Sequence, residues 1–188
     1  TCYMFNHRPN SLNAGSLWGR PFYILREAWN ILNAIAEGKI ESGDEKKLNA
    51  LKGETMAVIA LCQFDLTRCF GYPYTKDKGA SLGAPLIDHL VGTYENPLRS
   101  TVAQAYDFII ETLEEAVTLM SEEKNNGRMN KYAARALLAR IYLYHDDNRK
   151  AFDLADQLIK DADTSGSYAL YPHEKYVAAW SVEAKFGS

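Results

Sequence analysis

From Val102 to Met120 the apolar residues fall at three- and four-residue steps: Val102, Ala105, Tyr106, Ile109, Leu113, Ala116, Val117 and Met120. That is the period of an α-helix with one buried face, and no strand-like alternation competes with it. Asp107, Glu111, Glu114 and Glu115 fall mostly off the stripe, and Thr101 with Gln104 fits a capping box at its start. A helix of this kind folds only against other helices or a sheet, and the rest of the chain offers helices. Residues 22–37 place Leu25, Ala28, Trp29, Leu32 and Ile35 at helical steps, and Gly38 ends them. Residues 44–70 predict a second helix whose middle, MAVIALCQF, is apolar nearly all round and therefore buried. Gly53 inside it predicts either a close helix contact or a break. Two more helices are predicted over 130–144 and 149–162, the last with Ala151, Leu154, Ala155, Leu158 and Ile159 on one face.

Between these lie breakers. Residues 1–21 read as an irregular loop, with Pro9, Gly15, Gly19 and Pro21. Residues 71–98 hold four Gly and three Pro with no helical period, which predicts a long loop, and such loops are commonly functional. Residues 163–188 read as loop with one further helical turn near 176–180. In the last pair, Leu138, Ala139, Tyr142 and Ala151 keep tetratricopeptide-repeat spacing, in which small residues let two helices approach and Tyr fills the groove. The expected fold is all-α: stacked helix pairs of tetratricopeptide type with long irregular loops. Residues 1–188 form one helical domain or a fragment of one, with helices over 22–70 and 99–162.

Composition narrows the function. The longest apolar run, Met56 to Cys62, is seven residues, whereas a membrane span needs about 18–20. A net charge of -3 without a basic stripe argues against a nucleic-acid partner. The start, TCYMFNHRPN, lacks the basic and apolar regions of a signal peptide and reads as the beginning of an excised segment. Cys62 and Cys69 lie seven residues apart on one helix, about 10.5 Å along its axis, too far for a disulfide, so both read as buried thiols. His7, His89, His145 and His173 are scattered, and no motif for zinc, nucleotide or nucleophile chemistry is present. No catalytic residue, metal or cofactor is assigned. His145, Asp146 and Asp147 read as a polar turn with a helix cap rather than a metal site.

Flat aromatics interleaved with polar side chains suit a binding surface that is half apolar and half wet. Tyr3, Phe5, Asn6, His7 and Arg8 offer that mixture in the first loop, and Tyr72 and Tyr74, with Asp77, offer it in the long one. Trp18, Trp29, Tyr106, Tyr142 and Tyr144 read as packing residues.

Five segments together resemble a known family. GRMNKYAARALLARIYLYHDDNRKAFDLADQLI, LRSTVAQAYDFIIETLEEAVTLM and GETMAVIALCQFDLTRCFGYPY are similar to helix motifs of the SusD/RagB family, LGAPLI to its G-(I/L)-P-L element, and Tyr23 and Asn30 keep the spacing of its first helix motif with Trp18 upstream. The sequence departs from the family at Ile59, at Gln63 where an aromatic is usual, at Thr112 and at Arg26. The resemblance implies a non-catalytic, surface-exposed lipoprotein of the outer membrane in Bacteroidetes-type bacteria. It implies capture of oligosaccharides, or of peptides in some branches, for a TonB-dependent transporter. It also implies that the stretch before the first helix lines the ligand face. A generic helical-repeat scaffold for protein partners is the alternative class; it would need an exposed groove on the helix faces.

Overall fold

Helix α1 (Leu12–Ala36) begins ten residues before the expected start at Phe22 and runs through Pro21. The irregular segment expected over 1–21 is therefore helical from residue 12 onward. A proline inside a helix removes one backbone bond and costs about 3 kcal/mol; contacts of the first turns with α2 offset it. The Trp18 ring packs edge-on against Phe22 on its own helix, at 5.0 Å, and against Phe70, at 4.8 Å. The computed structural model describes residues 12–40, 43–125, 127–169 and 172–179.

Helix α2 (Glu45–Phe70) is capped by Asp44, whose carboxylate accepts the Lys46 amide at 3.0 Å. It is the central helix, and its all-round apolar middle follows from that place. One side, with Met56, Ala57, Ala60 and Phe64, enters a core shared with α3 (Val102–Leu119) and α4 (Lys131–Tyr144). The other side, with Ile59, Cys62 and Leu66, meets Leu25 and Ala28 of α1 and Ala84 and Ile87 of the long loop. Gly53 marks a close contact and not a break. A Cβ there would lie 2.8 Å from the Ala116 carbonyl oxygen and 3.0 Å from the Leu119 Cβ, so α2 and α3 touch backbone to backbone.

The stretch expected as a featureless loop over 71–98 contains order of its own. A 3-10 turn (Tyr74–Lys76) is followed by strand β1 (Leu82–Pro85), which pairs antiparallel with β2 (Arg99–Thr101). Sequence pattern misses so short a ladder because three or four residues show no alternation. Arg99 secures it by donating to the Gly83 and Leu82 carbonyls at 2.7 and 2.8 Å.

β2 leads into α3 through the capping box. The Thr101 hydroxyl accepts the Gln104 amide at 3.1 Å, and the Gln104 side chain accepts the Thr101 amide at 2.9 Å. The α3 stripe is buried except for a half-buried Val117. Asn130 caps α4, and Asp147 caps α5 (Asn148–Ser165) by accepting the Lys150 amide. The polar reading of His145–Asp147 thus matches the geometry, and α5 runs three residues past its expected end. Helix α6 (His173–Ala179) starts three residues before the expected turn at 176. Leu138, Tyr142 and Ala151 of the repeat signature are buried between α4 and its neighbours.

Two burial expectations fail. Cys69 is exposed, because it lies on the solvent side of the last turn of α2, whereas Cys62 is buried. Ile159, placed on the inward face of α5, is 63% exposed.

Candidate functional site

Five of the residues selected from sequence, Tyr3, Phe5, Asn6, His7 and Arg8, lie outside the described residues. The other two, Tyr72 and Tyr74, sit on one loop but in opposite environments. Tyr72 is exposed, with the Lys76 ammonium 3.1 Å from its ring centroid. Tyr74 is half-buried: its ring lies edge-on to Tyr106 at 5.7 Å and against His145 at 4.2 Å. It therefore anchors the loop to α3 and to the α4–α5 turn, while Tyr72 presents a ring to solvent. Gly79 allows the tight return, with φ +77° and its Cα packed against the start of α3. Asp77 bonds the Ser81 hydroxyl, and that bond holds its carboxyl below the usual range.

A second feature was not visible in the sequence. Trp18, Phe22 and Arg26 follow one another at four-residue steps along α1. They form one wall of a cleft of about 600 Å³, and Pro85, Ile87, Val91 and Thr93 from the long loop form the other. That volume is within the range of small-molecule sites. The guanidinium of Arg26 uses Nε and Nη2 on Glu27, at 3.1 and 2.9 Å, and lies 5.2 Å from the Tyr23 ring centroid. The cleft thus offers aromatic edges, aliphatic surface and a guanidinium whose charge is already balanced. The only signal in the sequence was the four-residue step itself, hidden because Pro21 interrupts it.

The loop wall is held from behind. Gln63 is fully buried; its Nε2 donates to the Pro85 carbonyl at 3.0 Å and its Oε1 accepts the Ile87 amide at 3.3 Å. The Trp29 indole donates to the Ile87 carbonyl at 3.2 Å. At its rim the loop is closed by His89, 2.6 Å from Asp88 and 2.7 Å from Glu95, whose other oxygen accepts the Gly92 amide.

These contacts make the rim sensitive to pH. The Asp88 bond, then the Glu95 bond, raises the His89 imidazole above its ordinary 6.5. The Gly92 amide, then His89, holds Glu95 below its ordinary 4.5. The His89 contribution is complete below 6.5 and is lost as pH rises through the raised folded value. The Glu95 contribution is complete above 4.5 and is lost as pH falls through the lowered one. Amide-exchange protection over 89–95 is expected to peak between 4.5 and 6.5. His89→Gln should remove the decline on the alkaline side, and a pH-independent profile in the unsubstituted protein would refute the account.

Among the described residues no group of three His, Cys, Asp or Glu is placed to hold a metal ion. Burial pushes the Cys62 thiol up to about 11, far from a reactive thiolate. Trp29 behaves as a packing residue, and Tyr106 and Tyr142 are buried; Trp18 and Tyr144 pack through ring edges while remaining about two-fifths exposed, at 39% and 41%.

Residues 5–143 match the SusD-like family described as "Starch-binding associating with outer membrane". The solved structure of a SusD superfamily protein from Bacteroides vulgatus ATCC 8482 is 99% identical, with a TM-score of 0.94, over 100% of this chain and 42% of that one. A SusD superfamily protein from Bacteroides thetaiotaomicron VPI-5482 is 40% identical, with a TM-score of 0.82, over 87% of this chain and 35% of that one. A laminarin-binding SusD-like protein shares the fold at 22% identity and a TM-score of 0.63, covering 76% of this chain and 29% of its own. No curated protein sequence matches the chain. The chain thus spans about two-fifths or less of the length of these relatives.

Proposed function

Because this chain belongs to the SusD superfamily, we propose that the full-length protein captures oligosaccharides at the bacterial surface and passes them to a TonB-dependent outer-membrane transporter. In this reading it is a lipid-anchored, non-catalytic protein of the outer membrane. The family match over residues 5–143, with its starch-binding description, carries the reading. The aromatic and guanidinium surface of the α1 cleft supports it, since stacking and hydroxyl bonding are what a saccharide needs. The exposed Tyr72 ring supplies a second surface of that kind, Tyr3, Phe5, Asn6, His7 and Arg8 complete the proposed ligand set with it, and Tyr74 holds the turn from which Tyr72 projects.

Calorimetric titration of the full-length protein against α-glucan and β-glucan oligosaccharides and against peptides tests this. Saccharide binding is expected, and truncating a stacking ring in Tyr3→Ala, Phe5→Ala or Tyr72→Ala should weaken it by about 1–3 kcal/mol in the variant that removes a contact. Peptide binding alone would replace the substrate class. Failure of every saccharide and peptide would remove the capture role, and absence of a transporter from pull-downs out of outer membranes would remove the delivery step.

A further inference from the structure

The cleft beside α1 is lined by few polar side chains, and these mostly donate. Among the described residues around it, only Arg26, Thr93 and Trp18 carry a polar side-chain atom. A guanidinium has donors and no acceptor, and an indole has one donor. The Thr93 hydroxyl is the single side-chain acceptor. No carboxylate and no side-chain amide of the described residues lines the cleft, and most of the remaining wall is apolar, with Phe22, Ile87 and Val91.

This donor set selects among sugars. A neutral sugar presents hydroxyls, each a donor as well as an acceptor. Their donors would find one side-chain acceptor here, and a donor that loses water without a new partner weakens binding. A carboxylate or a sulfate ester only accepts, and it meets a wall that mostly donates. Arg26 is placed to receive it. Trp18, Phe22 and Arg26 follow one another at four-residue steps, about 6 Å each along the helix axis. A sugar ring lying against the aromatic pair therefore brings its neighbour's substituent to the guanidinium. Glu27 balances Arg26 from outside, since it does not line the cleft. Their contact engages Nε and Nη2 and not Nη1. Both side chains are largely in solvent, at 59% and 45%, and so exposed a pair is weak enough to yield to a ligand. The carboxylates on the loop rim, Asp88 and Glu95, are both engaged by His89 and do not line the cleft either. Resting on the saccharide-capture reading above, we infer that the α1 cleft takes an acidic oligosaccharide: Arg26 binds the carboxylate or sulfate of one sugar, and Trp18 and Phe22 pack on the ring beside it.

Calorimetric titration of the full-length protein with matched ligands tests this. The probes are an oligogalacturonate and its carboxyl-reduced counterpart, a sulfated carrageenan oligosaccharide and its desulfated counterpart, and maltohexaose. An acidic probe is expected to bind at least about tenfold more tightly than its neutral counterpart, the size of a solvent-accessible charge-assisted contact. Which acid does so identifies the group as carboxylate or sulfate. The preference should disappear in Arg26→Gln, and Arg26→Lys, which keeps the charge but not the planar fork, should fall between the two. Added salt should weaken the acidic probe more than the neutral one. A preference that survives in Arg26→Gln overturns the inference, because another cation would then carry it. Neutral probes that bind as well as the acidic ones, or better, overturn it too and leave saccharide capture standing. Binding of no saccharide, neutral or acidic, removes both.

Discussion

Phe64→Ala is expected to lower the unfolding free energy by about 3–5 kcal/mol, the range for truncating a buried aromatic where the surroundings cannot collapse. The ring is fully buried where α2, α3 and α4 meet. It packs edge-on to Tyr106 at 6.2 Å and to Tyr144 at 5.4 Å, and the Arg68 guanidinium lies 5.6 Å from its centroid. Helical backbones on three sides resist closing the gap, so the cavity remains and its cost adds to the lost transfer energy. The effect also reaches the long loop, because Tyr106 touches Tyr74, and Tyr74 holds the turn that displays Tyr72. Urea unfolding should show a lower midpoint at an unchanged slope, and Phe64→Leu should recover most of the difference. A loss below about 1 kcal/mol for Phe64→Ala would mean that the three helices close over the site, and would refute a rigid junction here.

How much of this was legible in the sequence depended on the distance over which each feature is encoded. The Thr101–Gln104 capping box is written within four residues and appears as read. The interior position of α2 was readable because a helix apolar on every side has no place at a surface, and Gly53 was readable as a contact or a break because a glycine in such a helix has a cost. The first turns of α1 were not. Gly15, Gly19 and Pro21 argue locally against a helix, and the compensating partner, Phe70, lies 52 residues from Trp18 in the chain. The α1 cleft was hidden for the same reason, since its two walls come from residues 18–26 and 85–97. Ile159 and Cys69 illustrate a different limit. Helical spacing gives a face, but whether that face meets protein or solvent depends on what else is packed there, and α5 has little packed on it besides α4.

Gln63 belongs to both histories. In sequence it was a departure from an aromatic pattern; in the fold it is the side chain that holds the loop wall of the cleft to α2. Gln63→Leu keeps the volume and raises apolarity, which alone would favour burial by about 1–2 kcal/mol. It leaves the Pro85 carbonyl and the Ile87 amide without the partners they have now, at about 1–3 kcal/mol each when water cannot replace them. Ile87 is only 6% exposed, so its amide has little access to water while the loop stays in place. The two costs outweigh the gain, and the expected net loss is about 1–4 kcal/mol. The loop can reduce that loss only by moving Ile87 outward, which would widen the cleft between Phe22 and Pro85. Stability and site geometry therefore trade against each other. Either the unfolding midpoint falls, or the Ile87 amide loses protection from hydrogen exchange, and in the proposed saccharide-binding role affinity falls with it. Gln63→Glu keeps an acceptor for the Ile87 amide but loses the donor to Pro85 and buries a carboxyl, so it should lose at least as much stability as the Leu variant at neutral pH. A Gln63→Leu protein with an unchanged midpoint and unchanged Ile87 protection would show that the loop wall is held by its apolar contacts alone.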